Sequence, residues 1–269
     1  MGTLQIVVLA LVQGITEFLP VSSSGHLALV PLLSDWPDQG LKIDVAVHVG
    51  TLLAVMLYFW RDVLLMLGGL GRLLLFRGGP GARLMGHLIV ATVPVVLAGL
   101  LFKGAIESSL RSLEVIAWAT LGFGILLGLA DRIGLTVRRV EHMTWGDAVV
   151  LGLAQALALI PGTSRSGITM TAARVLGYER PDAARFSLLM SMPTIAAAGL
   201  LVGLDLYRLD DWAVTREALV AAALAMMSAL LAVALMMAWL RRAGFMPFVI
   251  YRVLLGLGLL GIVYGVIEI

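Results

Sequence analysis

The sequence contains no cysteine. Disulfide cross-links and thiolate chemistry are therefore excluded. Charge is scarce as well. Only 13% of the residues are Asp, Glu, Lys or Arg, about half of what a soluble domain carries. The formal net charge of +2 is too small to hold nucleic acid. Apolar residues fill the space: they make up 60% of the 269 residues, and the mean hydropathy is +1.00. Apolar runs recur along almost the whole length, which reads as an all-α, polytopic membrane protein. The first residues do not read as a cleaved signal peptide, since no basic region precedes the first apolar run and no small-residue cleavage site follows it.

A helix needs about 20 apolar residues to cross the hydrocarbon core. Six stretches approach that length: Ile43–Trp60, His87–Phe102, Val115–Ala130, Phe186–Leu204, Ala218–Leu240 and Phe248–Ile267. Leu4–Leu19 and Ala148–Ile160 are too short, and each ends at a proline beside a polar cluster. Each is followed by another short helical piece, Gly25–Leu33 and Ser166–Leu176. Such a helix–break–helix can enter the membrane and leave on the same side, provided protein or a wet cavity surrounds its broken backbone.

The arginines test this layout, because short cytoplasmic loops are rich in basic residues. Arg61, Arg72, Arg77 and Arg83 share one loop, and Arg132, Arg138 and Arg139 share another. Arg174, Arg180 and Arg185 form a third group, and Arg241 with Arg242 a fourth. The loops carrying Asp35 and Asp38, Glu107 and Glu114, and Asp205, Asp210 and Asp211 are more acidic. If all four basic groups lie inside, the six long stretches alternate only when each short pair crosses an even number of times. That is the expectation of two re-entrant hairpins, the first entering from outside and the second from inside, with both termini external. Val63–Phe76, glycine-rich and interrupted by Arg72, reads as an interfacial helix.

A shift of 142 residues lays Gln13 on Gln155, Ser22 on Ser164, Ser24 on Ser166 and Gly25 on Gly167, with Pro20 one place off Pro161. Three full spans separate the two hairpins, so the copies point in opposite directions. The expectation is a single integral membrane domain over residues 1–269, built as an inverted-topology repeat with a first copy at about 1–130 and a second at about 146–269.

The polar residues gather at the two breaks, "QGITEFLPVSSSGHL" (Gln13–Leu27) and "QALALIPGTSRSGIT" (Gln155–Thr169). Gln13 and Glu17 are four apart and share a helix face. Pro20 ends that helix. One of Ser22, Ser23 and Ser24 caps the next helix, so that His26 in its first turn could converge on Glu17. In the second stretch Pro161–Gly162 breaks the helix, Ser164 is a good N-cap, and a new helix starts near Arg165 and carries Thr169. Free N–H groups and the positive end of the helix dipole favour an anion there. Arg165 adds a planar donor fork suited to phosphate or carboxylate, and the hydroxyls of Ser164, Ser166, Thr169 and Ser22 add further donors. Glu17 conflicts with a phosphate unless it is protonated or a divalent cation intervenes. Mg²⁺ or Ca²⁺ accepts both kinds of oxygen, and Gln13 with Glu17 would hold the ion. Either His26 or Ser23 could attack phosphorus or relay a proton.

Plainer readings exist for some of these residues. Serines at helix breaks often only satisfy freed backbone groups. His48 and His87 read as packing residues, and Arg252 of "MPFVIYR" as snorkelling or paired with an acid. Glu17, His26 and Arg165 resist such readings, since ionisable groups at membrane depth are costly. An inverted-repeat lipid flippase or ion-coupled transporter is the alternative function. A Ser/His intramembrane protease is weaker, because His26 lies only two to four residues from each serine.

These motifs, with "HVGTLLAV…YFWRD" and "MPFVIYR", resemble the bacterial undecaprenyl-diphosphate phosphatases, the family linked to bacitracin resistance. The likeness runs nearly end to end. It implies a multi-pass hydrolase of the bacterial inner (plasma) membrane, with its site opening toward the periplasmic side. Such an enzyme removes the terminal phosphate of undecaprenyl diphosphate with a divalent metal, recycling the carrier lipid for peptidoglycan synthesis. The family's first motif falls on Gln13, Glu17, Ser23 and His26, and its second on Ser164, Arg165, Ser166 and Thr169. Gln13 departs from the Glu that many members carry, leaving Glu17 as the indispensable acid. The implied partners are the polyprenyl diphosphate, membrane lipid and, for assembly, a homodimer, with no nucleic acid.

Overall fold

The computed structural model describes residues 2–34, 36, 40–102, 104, 108, 110–208 and 215–267. Most of the acidic residues assigned above to the outer loops, namely Asp35, Asp38, Glu107, Asp210 and Asp211, lie outside the described residues. The described chain is helical: α1 Thr3–Thr16, α2 Ser23–Ser34, α3 Gly40–Tyr58, α4 Trp60–Leu74, α5 Pro80–Leu101, α6 Leu113–Ile133, α7 Trp145–Ala156, α8 Arg165–Val175, α9 Arg180–Arg208, α10 Arg216–Leu240 and α11 Met246–Val263. Several starts follow from one residue type. Ser112, Thr144, Ser164 and Thr215 each stand at an N-cap and accept a hydrogen bond from a backbone N–H three residues on.

Five helices, α5, α6, the first part of α9, α10 and α11, are long and apolar enough to cross a membrane. A sixth is reached if α3 and α4 count as one bent span. The expected stretch Ile43–Trp60 is therefore cut at Phe59, where α4 departs from α3 at 92°. α4 is amphipathic: Leu64, Leu67 and Leu74 are exposed, while Met66 and Gly69 are buried against neighbouring helices. α1 and α7 are too short to span, and each leads through a turn into a second short helix.

The packing repeats between the halves. α1 lies on α10 as α7 lies on α5, α3 lies on α10 as α9 lies on α5, and α2 follows α1 as α8 follows α7. α3 also packs on α9, so the two halves meet face to face. Small residues permit these approaches. A side chain at Gly14 of α1 would lie 2.6 Å from the Ala225 carbonyl oxygen of α10. Near the C-terminal end of α6, Asp131 accepts from Arg174 Nε at 3.0 Å, Arg180 Nε at 2.7 Å and the Phe245 N–H at 3.1 Å. Arg138 and the Tyr178 hydroxyl converge on Asp147 in the same region. These buried pairs tie α6, α7, α8 and the start of α11 together, and removing one partner would leave an uncompensated charge.

Candidate active site

The two helix breaks carry the same backbone signature. Ser22 (φ 73°) and Ser164 (φ 66°) are two of the three described non-glycine residues with positive φ. Each turns its hydroxyl onto the N–H three residues on, Ser22 to Gly25 at 3.3 Å and Ser164 to Gly167 at 3.1 Å. Each hydroxyl also lies 3.2 Å from that of the serine two places later, Ser24 or Ser166. Those later serines brace the opposite hairpin. Ser24 Oγ accepts from the Gly162 N–H at 2.9 Å, and Ser166 Oγ donates to the Leu19 carbonyl at 2.9 Å. A backbone conformation that disfavours L-residues persists only where its surroundings hold it, and it concentrates at functional sites.

This cross-bracing brings the charged residues together. Arg165 donates to Glu17 Oε1 in a direct ion pair between the hairpins. The side chains are 18% and 9% exposed, so the pair is largely withdrawn from solvent. The other carboxylate oxygen, Oε2, accepts from Ser23 Oγ at 3.1 Å and from Gln13 Nε2 at 2.9 Å. Glu17 therefore collects donors from Gln13, Ser23 and Arg165 at once. A cavity of about 300 Å³ opens beside the pair, lined among others by Asp44, His48, Thr194 and Gly199. A larger cavity of about 770 Å³ between α1, α10 and α11 is almost wholly apolar and holds no ionisable group.

The remaining expected residues fall as follows. Thr169 hydroxyl lies 2.6 Å from Ser187 Oγ and donates to the Arg165 carbonyl at 2.8 Å, so it braces α8 from within rather than facing the cavity. His26 turns toward α11. Its Nδ1 donates to the Ser22 carbonyl at 2.7 Å, which leaves Nε2 to accept from the Tyr251 hydroxyl at 2.5 Å. The two rings stack with centroids 5.5 Å apart. Glu17, Ser23, Gln13 and Arg165 are thus assembled in one contact set, while the described partners of His26 are the Ser22 carbonyl and Tyr251.

Three residues escaped the sequence reading. His48, read above as a packing residue, places Nε2 3.1 Å from Gln13 Nε2 beside Glu17, with Nδ1 donating to the Asp44 carbonyl. Tyr251 lies in the "MPFVIYR" stretch, but the sequence reading assigns it no role there. Arg252 neither snorkels nor meets an acid. It is fully buried (0% exposed), and its described acceptors are backbone carbonyls. His87 is a packing residue as expected, edge-on to Trp145 at 4.5 Å.

The donor set can be tested for a divalent cation. Among the described residues no three His, Cys, Asp or Glu side chains gather closely enough to enclose one. However, Gln13 Oε1 is buried without a hydrogen-bond partner, on the same amide whose Nε2 donates to the Glu17 carboxylate. An acid and a spare amide oxygen suit an ion that takes its other ligands from phosphate and water, the usual habit of Mg²⁺.

The chain is similar to known proteins over nearly its whole length. Residues 6–258 match the family model described as bacitracin resistance protein BacA. Undecaprenyl-diphosphatase 1 of Rhodospirillum rubrum is 58% identical over 97% of this chain and 95% of its own length. The undecaprenyl-diphosphatase of Ruegeria pomeroyi is 57% identical over 98% of this chain and its full length, and that of Roseobacter denitrificans is 54% identical over 98% and its full length.

Proposed function

This chain belongs to the bacitracin resistance protein BacA family, and from that premise we propose that it hydrolyses undecaprenyl diphosphate to undecaprenyl phosphate and inorganic phosphate. Relatives that are more than half identical along nearly the whole chain bear the name of that activity. The observation that carries the reading at the level of atoms is the Arg165–Glu17 pair between the hairpins, with Ser23 hydrogen-bonded to the same carboxylate.

The resting pair suggests how the residues act. A diphosphate offers Arg165 two oxygens in the geometry its fork prefers and competes with Glu17 for it. Once Arg165 turns to phosphate, Glu17 Oε1 is released from the ion pair and is free to accept another donor. Ser23 already points its hydroxyl at Glu17. Its Oγ bonds to the terminal phosphorus as its proton passes to Glu17. The bridging P–O bond breaks, and the lipid monophosphate leaves. Water then cleaves the phosphoserine and releases inorganic phosphate. The free N–H groups at the start of α8 hold the phosphate oxygens, while Ser166 on the Leu19 carbonyl and Ser164 on the Ser166 hydroxyl and the Gly167 N–H keep that turn in place. Glu17 with the spare Gln13 oxygen would hold a divalent cation, which supplies neutralisation of phosphate charge when bound. The sequence reading left the nucleophile open between Ser23 and His26, and the contact between Ser23 and Glu17 favours Ser23.

The same reading includes a membrane layout of six spans and two re-entrant hairpins, α1–α2 and α7–α8, related as an inverted repeat, with α4 at the interface. The shared serine conformation at 22 and 164, the paired packing of α1 with α10 and α7 with α5, and the 92° departure of α4 support it. The cavity beside Glu17 lies against the N-terminal half of α3 and the C-terminal half of α9, away from the basic start of α9, and this supports a site facing the periplasm of a bacterial inner membrane.

The decisive assay is phosphate release from a polyprenyl diphosphate by detergent-solubilised protein, with and without chelator. We expect release without any membrane gradient, inhibition by chelator, and near-complete loss in Glu17→Ala and in Arg165→Ala while both stay folded. Turnover at the wild-type level in either variant would reject the site. Absence of release from the wild-type protein would point to a transporter.

A further inference from the structure

Arg252 stands in the middle of α11 with no surface exposure at all. Its Nε donates to the Thr120 carbonyl of α6 at 3.2 Å. Its Nη2 donates to the carbonyls of Gly162 at 3.0 Å and Thr163 at 2.9 Å, the residues immediately before Ser164 and Arg165. Nη1 is buried and has no partner. Among the described residues no carboxylate comes within ion-pair distance of this guanidinium. Carbonyl oxygens replace its hydration but do not cancel its charge, and an arginine cannot shed that charge as a lysine can. A buried cation left unbalanced is costly.

The place where that charge sits gives it a use. A side chain at Gly167 would lie 2.6 Å from Nη1. The unpartnered nitrogen is therefore aimed at the first turn of α8 from behind, and only glycine admits it. The helix dipole, Arg165 and Arg252 then place three positive sources around one anion seat, against the carboxylate of Glu17 and that of Asp44 in the lining of the adjoining cavity.

We propose that Arg252 is a positioning residue of the phosphate seat. It pins the Gly162–Thr163 turn from which Arg165 projects, and its unbalanced charge is matched only when a polyanion occupies the seat. The inference rests on the phosphatase reading and adds a consequence. The seat prefers a diphosphate to the less charged inorganic phosphate, so substrate is held in preference to product.

The readout is the ratio of inhibition constants for inorganic phosphate and inorganic diphosphate against polyprenyl diphosphate hydrolysis by the full chain. In the wild type the ratio is expected to favour diphosphate. Arg252→Met should lower that ratio and raise KM, each by about tenfold or more, as expected for a unit charge removed several ångströms away at intermediate dielectric. Arg252→Lys keeps the charge but not the fork, so it should retain the ratio while kcat falls. A purely structural arginine would show the same loss in both variants and leave the ratio untouched. If Arg252→Met fails to yield folded helical protein on size exclusion and circular dichroism, Gly167→Ala decides. Its methyl must displace Nη1, and the ratio should fall. An unchanged ratio in folded Arg252→Met, or failing that in Gly167→Ala, overturns the inference while the wild type stays active. A wild type that releases no phosphate overturns the phosphatase reading itself.

Discussion

Ser23 and His26 are three residues apart on one helix, yet their contacts assign them different work. Ser23 Oγ is hydrogen-bonded to Glu17, whereas the His26 ring is fixed between the Ser22 carbonyl and Tyr251. Ser23→Ala should therefore lower kcat by about 10³-fold or more, the scale of losing a nucleophile that acts as one unit with its base. His26→Gln should cost less than the about 10²-fold expected of a direct proton donor or acceptor. Single-turnover phosphate release measures both, and a larger loss at His26 than at Ser23 would reverse the assignment. Glu17 and Arg165 could be read from sequence because ionisable side chains stand out in an apolar chain and have few inexpensive explanations. His48 could not. It is a lone histidine within α3, and it meets Gln13 only because α1 and α3 pack together. Tyr251 and Arg252 were hidden for a similar reason. Their partners are distant in sequence, on α2, on α6 and in the turn before α8, and a buried arginine that bonds carbonyls leaves no acidic residue to signal it.

The hairpin is the next scale, and there the serine with positive φ has two separable jobs. Ser164 caps α8 through its hydroxyl and also occupies a backbone conformation that glycine adopts freely. Ser164→Ala loses the cap and keeps the unfavourable φ, a cost of about 1 kcal/mol or more. Ser164→Gly also loses the hydroxyl but relieves the backbone, so it should cost only a few tenths. The expected order of thermal stability in detergent is wild type, then Ser164→Gly, then Ser164→Ala, and the same order should hold at Ser22. An alanine variant as stable as the glycine variant would show that the conformation carries no strain. The breaks themselves were legible, since Pro20 and Pro161 each end a run too short to span. The left-handed serines were not, because nothing in the letters separates a serine with negative φ from one held at 73° or 66°. The bend at Phe59 was equally hidden, with neither proline nor glycine at the corner and only the amphipathic pattern of α4 to hint at it.

At the scale of the whole molecule, charge asymmetry and packing make one claim by different routes. In the proposed layout the basic residues Arg61, Arg77, Arg132 and Arg242 put one face of the bundle in the cytoplasm, and the proposed inverted repeat has the hairpins entering from opposite faces, which the repeated packing of the two halves supports. The natural absence of cysteine makes this simple to test, because any single introduced thiol is the only one in the chain. Gly2, Arg77, Ser108 and Arg242 all stand at exposed positions. Gly2→Cys and Ser108→Cys should react with a membrane-impermeant maleimide in intact spheroplasts. Arg77→Cys and Arg242→Cys should react only after permeabilisation. The sharper expectation concerns parity. Thiols at Ser108 and Arg242 straddle α6, the second hairpin, α9 and α10, so they fall on opposite sides only if α7–α8 crosses the membrane an even number of times. If both were labelled from the same side, the second hairpin would be a span, the two copies would run parallel, and Glu17 could not meet Arg165 through oppositely oriented breaks.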